Sequence, residues 1–287
     1  MENLTDINVI RGLCERHGFS FSKSLGQNFL INPSVCPKIA EMGNAKKGFG
    51  VIEIGTGFGV LTKELALRAD KVVAVEIDSR LLPVLDETLS ELDNIRIINA
   101  DVLKTDLHQV IKEEFEGPDV AVCANLPYYI TSPVIMYLLE QRLPVKTITV
   151  MVQKEAAVRL CALPGTRECG AVSYAIRYYC EPQILFNVSR GSFMPAPNVD
   201  SCVIRLDVNS APAVETADEA FFFKVIKAAF SQRRKTLANS LSSSLKADKS
   251  IITAAVEKAG LRADIRPEKL TLEEMAAVSN ELYPLIG

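Results

Sequence analysis

Between residues 49 and 152, short β-branched and apolar runs alternate with stretches whose leucines recur at helical spacing. Candidate strands cover 50–54, 71–76, 95–98, 119–124 and 146–152. Between them, Leu61 and Leu65, then Leu81, Leu82, Leu85 and Leu89, mark helical faces. Few folds accept such a rotation. Parallel neighbours need a long crossover, usually a helix, and those helices cover both faces of the sheet. The fold class expected is α/β: a Rossmann-like, mostly parallel sheet with helices on both faces. Ser132-Pro133 ahead of an apolar run predicts a helix starting there, with serine as cap and proline in the first turn. Two further strand-like runs follow at 183–188 and 199–206.

A change of composition closes this region. Residues 207–219 hold four carboxylates, no basic residue and one proline, which reads as a linker. Beyond it strand signals vanish, and helices are predicted over 221–230, 233–245, 251–259 and 272–283. Thr271 and Glu274 fit a capping box for the last of these. The expected division is a catalytic α/β domain over 1–209 and a small all-α domain over 210–287.

Several function classes drop out on inventory. The chain's 32 Lys and Arg stand against 35 Asp and Glu, a net charge of −3, so a uniformly basic nucleic-acid coat is excluded. Its seven cysteines form no C-x-x-C pair, and with only His17 and His108 a zinc site or an imidazole-based mechanism has little to draw on. No metal is expected. No apolar run approaches the roughly 18 residues of a membrane helix. The opening residues lack a basic stretch followed by an apolar one, so a cytoplasmic, membrane-free protein is expected.

Chemistry concentrates at the strand ends. The first strand runs into Gly55, Gly57 and Gly59, spaced G-x-G-x-G, not the G-x-G-x-x-G of a pyrophosphate site. Alone, this is also the signature of any tight strand-to-helix turn. Glu76 ends the second strand about 20 residues on, where a carboxylate accepts ribose hydroxyls. Asp101 ends the third strand, within reach of an adenine amine. Together the three describe an adenosine site without a diphosphate grip, which suits S-adenosylmethionine better than NAD.

The fourth strand ends in Asn125-Leu-Pro-Tyr128. An Asn-initiated turn stiffened by proline is the ordinary reading. The chemical one is more specific. An exocyclic adenine amine is a poor nucleophile, because its lone pair is delocalised into the ring. The Asn125 side-chain oxygen and the Pro127 carbonyl can each accept one N–H, aligning the nitrogen with a sulfonium methyl. Tyr128 would stack on a base extruded from its helix. The cationic donor makes a strong base unnecessary, consistent with the scarcity of histidine.

These motifs, in this order, resemble the ribosomal RNA adenine N6,N6-dimethyltransferases. Ser24-Leu-Gly-Gln-Asn-Phe-Leu-Ile31 resembles the family's upstream motif, which implies cofactor contacts from Asn28 and Leu30. By the same resemblance Ile77 and Val102, next to the two acids, belong to the cofactor set. Phe193-Met-Pro-Ala-Pro-Asn-Val-Asp-Ser201 resembles the late motif, whose phenylalanine supports the target adenine. The stretch 230–241 resembles the head of the helical domain, and 125–133 resembles the bacterial small-subunit, KsgA-type branch. The resemblance implies a monomer that dimethylates two adjacent adenines near the 3′ end of 16S rRNA in an immature 30S subunit. S-adenosyl-L-homocysteine is the implied product.

Residues 221–246 contain six basic residues and no acid. A solvated basic face is the common meaning of such a run. Beside an adenine-methylating site, Lys227, Arg233, Arg234 and Lys235 become the candidate RNA phosphate contacts. A large-subunit rRNA methylase and an assembly factor acting by binding remain as alternatives. The glycine spacing disfavours an NAD-dependent dehydrogenase.

Overall fold

The computed structural model describes residues 3–21, 28–232 and 234–287. The chain forms two compact units: residues up to Ala157 with Gln183–Val208, and Val158–Pro182 with Asn209–Gly287.

In the first unit, α1 (Ile7–Arg16) precedes a short strand β1 (Phe29–Leu30) and α2 (Val35–Met42). Then β2 (Phe49–Ile54), α3 (Val60–Ala66), β3 (Lys71–Glu76), α4 (Leu82–Thr88) and β4 (Ile95–Asn99) alternate as the periodicity predicts. The rotation continues through α5 (Leu107–Glu114), β5 (Asp119–Asn125), α6 (Thr131–Glu140) and β6 (Thr147–Gln153). After α7 (Lys154–Leu160) and α8 (Ala171–Tyr179) come β7 (Cys180–Val188), β8 (Phe193–Met194) and β9 (Ser201–Val208). The main sheet has the order β4-β3-β2-β5-β6-β9-β7, and β1 pairs with β8 in a separate ribbon.

Strands β2 to β6 are parallel, and β9 runs antiparallel to β6. Their apolar residues are buried on both faces, Val51, Ile52, Val72, Val73, Val122 and Ile148 completely. That is the pattern of a sheet covered by helices on each side. The order reverses between β2 and β5, and at such a switch point a crevice opens outside the carboxyl ends of the strands. Register aligns those ends. Ile54 lies beside both Val75 and Ala124, so Gly55, Glu76 and Asn125 follow at one rim.

Helix α6 departs from expectation. It begins at Thr131, and no side chain caps its start at Ile130. Ser132 and Pro133 both lie inside the first turn, where the missing N–H of proline costs nothing because that turn's donors have no intrahelical acceptor.

The second unit combines α8 with α9 (Glu219–Ala229), α10 (Leu237–Leu245), α11 (Lys249–Lys258) and α12 (Leu272–Ile286). The expected 1–209 domain differs at one insertion, because 158–182 groups with the C-terminal helices. The tyrosines of α8 are the physical reason. Tyr174 donates to the Pro267 and Leu270 carbonyls at 3.0 and 2.5 Å, and Tyr178 and Tyr179 both reach Glu219 at 3.0 Å. Nor is 209–218 a free linker. The Asn209 and Ala213 amides bond the carbonyls of Tyr179 and Tyr178, and Asn280 clasps Glu215 and Ala217. Helix α10 starts at Leu237, not at 233, with Thr236 as its cap. The capping box of α12 forms, Thr271 N–H to Glu274 at 2.8 Å and Glu274 N–H to Thr271 at 3.2 Å. Among the described residues no helix is long and apolar enough to cross a membrane.

Candidate active site

A cavity of about 330 Å³ opens at the rim where β2, β3 and β5 end. Its walls come from the glycine turn, from the segments after β3 and β4, from the turn after β5, and from the β1–β8 ribbon.

The glycine turn is shaped by packing as well as by conformation. Gly55 and Gly57 have φ of +77° and +55°, in the left-handed region that favours glycine. A Cβ on Gly57 would lie 3.1 Å from two ring atoms of Phe29. Between the two glycines, Thr56 ties the turn to Glu76. Its amide and hydroxyl donate to Glu76 Oε2 at 2.9 and 2.8 Å, and the Asp78 amide donates to Oε1 at 2.8 Å. The carboxylate is thereby held at a fixed angle, with three of its roughly four acceptor positions taken.

The Glu76 carbonyl accepts from the Ala100 amide and from Asn99 Nδ2, at 3.0 and 2.8 Å, clamping the β3 and β4 ends together. Asp101 lies beyond the strand end instead of closing it. It caps a single 3₁₀ turn, accepting from the Leu103 amide at 3.1 Å, with Lys104 Nζ 3.5 Å from its other oxygen. Ile77, 58 % exposed despite its apolar side chain, lines the cavity along with Val102.

The ribbon brings two distant stretches together. Leu30 pairs with Phe193 and Phe29 with Met194, and the Ile31 amide bonds the Ser192 carbonyl at 2.8 Å. Asn28, Leu30 and Phe193 consequently share the cavity. Residues 24–27 of the upstream motif lie outside the described residues.

Asn125, Pro127 and Tyr128 all line the cavity too. The Pro127 carbonyl, however, does not fit the role expected of it. It accepts from the Ile130 amide at 3.1 Å and from the Thr131 hydroxyl at 3.3 Å, which uses both lone pairs to start α6. The neighbouring Leu126 carbonyl has no partner among the described residues. Tyr128 is anchored at its far end, its hydroxyl 2.7 Å from Ser201 Oγ.

One group has no counterpart among the sequence-predicted site residues. Glu53 is fully buried in β2, lines the cavity, and neither of its oxygens has a hydrogen-bond partner among the described residues. Burial raises its carboxyl pKa to about 8; the nearby Thr62 hydroxyl opposes this, and the charge of Glu76 adds to it. A carboxylate in the otherwise apolar run Val51–Ile54, two residues before a glycine turn, is the signal the sequence offers.

Residues 18–283 match the family described as ribosomal RNA adenine dimethylase. The chain belongs to that family. Two relatives are each named ribosomal RNA small subunit methyltransferase A. One, from Bacillus mycoides, is 50% identical over 286 residues, 98% of each chain. The other, from Bacillus cytotoxicus, is 50% identical over 288 residues, 99% of each. Among solved structures, a dimethyladenosine transferase from Plasmodium falciparum is similar with a TM-score of 0.75 at 26% identity, over 89% of this chain and 98% of that one. The 23S rRNA methyltransferase ErmE is similar with a TM-score of 0.68 at 28% identity, over 89% and 99%. As a family member the chain is an rRNA adenine methylating enzyme with a Rossmann-like fold.

A dimethylase must also hold a polyanion. In the second unit Lys224 and Lys227 share the exposed face of α9, opposite the buried Phe222, Val225 and Ile226. Arg234 and Lys235 are exposed in the turn ahead of α10, not within a helix as expected. Arg233 lies outside the described residues.

Proposed function

We propose that this dimethylase acts on small-subunit rRNA and draws its methyl groups from S-adenosylmethionine. The small-subunit assignment is supported by relatives of that name at 50% identity over nearly the whole chain. It targets adenines in a pre-ribosomal 30S particle and works as a soluble monomer. Lys227, Arg234 and Lys235, with Arg233, grip RNA phosphates.

The observation that carries the mechanism is a single cavity containing both a nucleoside-type acid and an amine-type acceptor pair. When bound, S-adenosylmethionine supplies a methyl group on a cationic sulfur and departs as S-adenosylhomocysteine. The residues fit it. Glu76 would take ribose hydroxyls, one acceptor position on its Oε1 remaining open beside the Asp78 amide. Asp101 would accept from the adenine amine, and Ile77, Val102, Asn28 and Leu30, which line the same cavity, would enclose the nucleoside. Glu53, unpaired and buried, lines the same cavity and would be placed to meet a positively charged ligand. An unpaired charge is costly to bury, so this carboxyl favours a cationic ligand over a neutral one.

The target adenine enters flipped from its helix. Tyr128 stacks on one face and Phe193 supports the ring. Asn125 Oδ1 accepts one amine proton and the free Leu126 carbonyl the other, in place of the occupied Pro127 carbonyl. Holding the nitrogen in line with the methyl accounts for most of the rate gain, about 7–11 kcal/mol in favourable systems. The displaced proton passes to water, so no side chain acts as a strong base. After the first transfer only one N–H remains, and one of the two acceptors is released to admit the new methyl.

Mapping dimethyladenosine in ribosomal RNA from cells with and without the protein tests this reading. Loss confined to 16S rRNA is expected. Loss confined to 23S rRNA assigns the enzyme to the large subunit, and an unchanged pattern rejects methyl transfer as its role.

A further inference from the structure

The bond between Tyr128 and Ser201 ties a cavity-lining ring to a residue outside the cavity wall, and its setting is unusual. Ser201 is fully buried at the start of β9, followed by Cys202, Val203 and Ile204, all buried and apolar in character. A buried serine hydroxyl costs free energy unless it is bonded, and the Tyr128 hydroxyl at 2.7 Å supplies the partner. Replacing both groups with apolar ones of similar shape would be close to neutral for stability. What the pair adds is direction, because it fixes the far end of a ring whose near end is fixed by the Asn125–Tyr128 turn.

Sheet register makes that anchor rigid. Ser201 pairs with Gln153 on β6, and Asn125 pairs with Met151 on the same strand. The acceptor turn and the anchoring hydroxyl are thus referenced to one central strand. Asp200, next to Ser201, takes the Arg190 amide on its carboxylate at 2.9 Å and the Lys154 amide on its carbonyl at 3.0 Å. The 190–192 turn so held leads directly into Phe193. One short stretch of chain therefore sets both aromatic walls. Burial raises the Tyr128 pKa, opposed by the Ser201 bond and reinforced by the Asp200 charge, so the phenol remains protonated and able to form this bond.

We propose that Ser201 is a positioning residue for methyl transfer: its hydroxyl holds the Tyr128 ring at the angle that stacks on the target base. This rests on the stacking role given to Tyr128 above. Without the bond the ring can pivot about its side-chain torsions, and fewer bound adenines present nitrogen in line with the methyl.

The test is single-turnover methylation by the full-length protein, using labelled S-adenosylmethionine and small subunits from cells lacking this enzyme. Ser201→Ala and Tyr128→Phe are each expected to slow transfer about fivefold, the worth of one typical hydrogen bond. The double variant should be no slower than either one. The KM for S-adenosylmethionine should stay at its wild-type value, and the double variant, which leaves neither hydroxyl unpaired, should melt close to wild type while transfer stays slow, which a merely structural serine would not produce. Tyr128→Phe breaks the same bond from the other side, so a Ser201→Ala variant that folds poorly does not blunt the test. A wild-type rate in Tyr128→Phe, or two defects that multiply, overturns the inference. Tyr128→Ala separates it from the underlying reading: a wild-type rate there rejects base stacking itself, whereas a large loss beside an unimpaired Tyr128→Phe rejects only the role of Ser201.

Discussion

The Thr56 amide and hydroxyl converge on one oxygen of Glu76, at 2.9 and 2.8 Å, while the Asp78 amide takes the other oxygen at 2.8 Å. Both oxygens face N–H donors, and this makes Glu76→Gln a severe change despite its similar shape. Whichever way the amide turns, its NH2 group confronts a backbone N–H. Charge-assisted hydrogen bonds contribute about 1.5–3 kcal/mol each. S-adenosylmethionine affinity in Glu76→Gln should fall about tenfold or more, measured by titration calorimetry. Wild-type affinity would remove Glu76 from the cofactor site.

Asn125 tests the chemistry separately from the cofactor. Asn125→Ala leaves the Leu126 carbonyl as the one remaining acceptor for the target amine. Removing one preorganised partner typically costs about 3 kcal/mol of barrier, so transfer should slow on the order of a hundredfold. Single-turnover assays at saturating donor would show it. A rate near wild type contradicts the acceptor pair.

The sheet and the acid at its second strand end, Glu76, are legible in the sequence because both depend on local patterns. Continuous apolar runs mark strands buried on two faces, and Gly55, Glu76 and Asn125 come level through parallel register. Other features depend on long-range pairings that no local pattern records. Phe193 reaches the cavity through a two-residue ribbon with Leu30, more than 160 positions away. The Pro127 carbonyl looks free in the sequence because Ser132-Pro133 signals a helix start two residues beyond the true one, concealing the bonds from Ile130 and Thr131. Helix α8 leaves the expected first domain because its tyrosines bond to residues 40 to 96 positions further on.

Gly57 carries two constraints that alanine would violate together. Its φ of +55° is left-handed, and an added Cβ would press on the Phe29 ring at 3.1 Å. Phe29 cannot retreat easily, because it stacks on Phe58 with ring centroids 4.3 Å apart. Backbone strain alone costs about 1–2 kcal/mol. Gly57→Ala should lower the melting temperature by a few degrees, roughly 2–4 °C per kcal/mol at this size, and weaken S-adenosylmethionine binding further. Thermal denaturation with and without the ligand distinguishes the two losses.

For RNA, the contribution of Lys227, Arg234 and Lys235 should be electrostatic and independent of sequence. Changing all three to Gln is expected to make the salt dependence of rRNA binding shallower, by about 0.7–0.9 in logarithmic slope for each phosphate no longer neutralised. S-adenosylmethionine affinity should not change. Parallel loss of both affinities would indicate misfolding and reject these residues as the RNA grip.

Glu53 gives the ligand-free protein a pH dependence of defined sign. Its carboxyl pKa rises from an ordinary 4.5 to about 8 in the folded chain, driven first by burial. The native state therefore binds the proton that the unfolded state has already released. Where the native state binds more protons, stability falls as pH rises. The contribution is complete below pH 4.5, declines through the interval above it and is lost beyond about pH 8. Glu53→Gln keeps a neutral, similarly shaped side chain and should remove this part of the decline. Melting curves of both proteins without ligand, recorded between about pH 5 and pH 9, should therefore diverge, with Glu53→Gln the more stable at the alkaline end. Parallel curves would mean that Glu53 is ionised in the fold throughout.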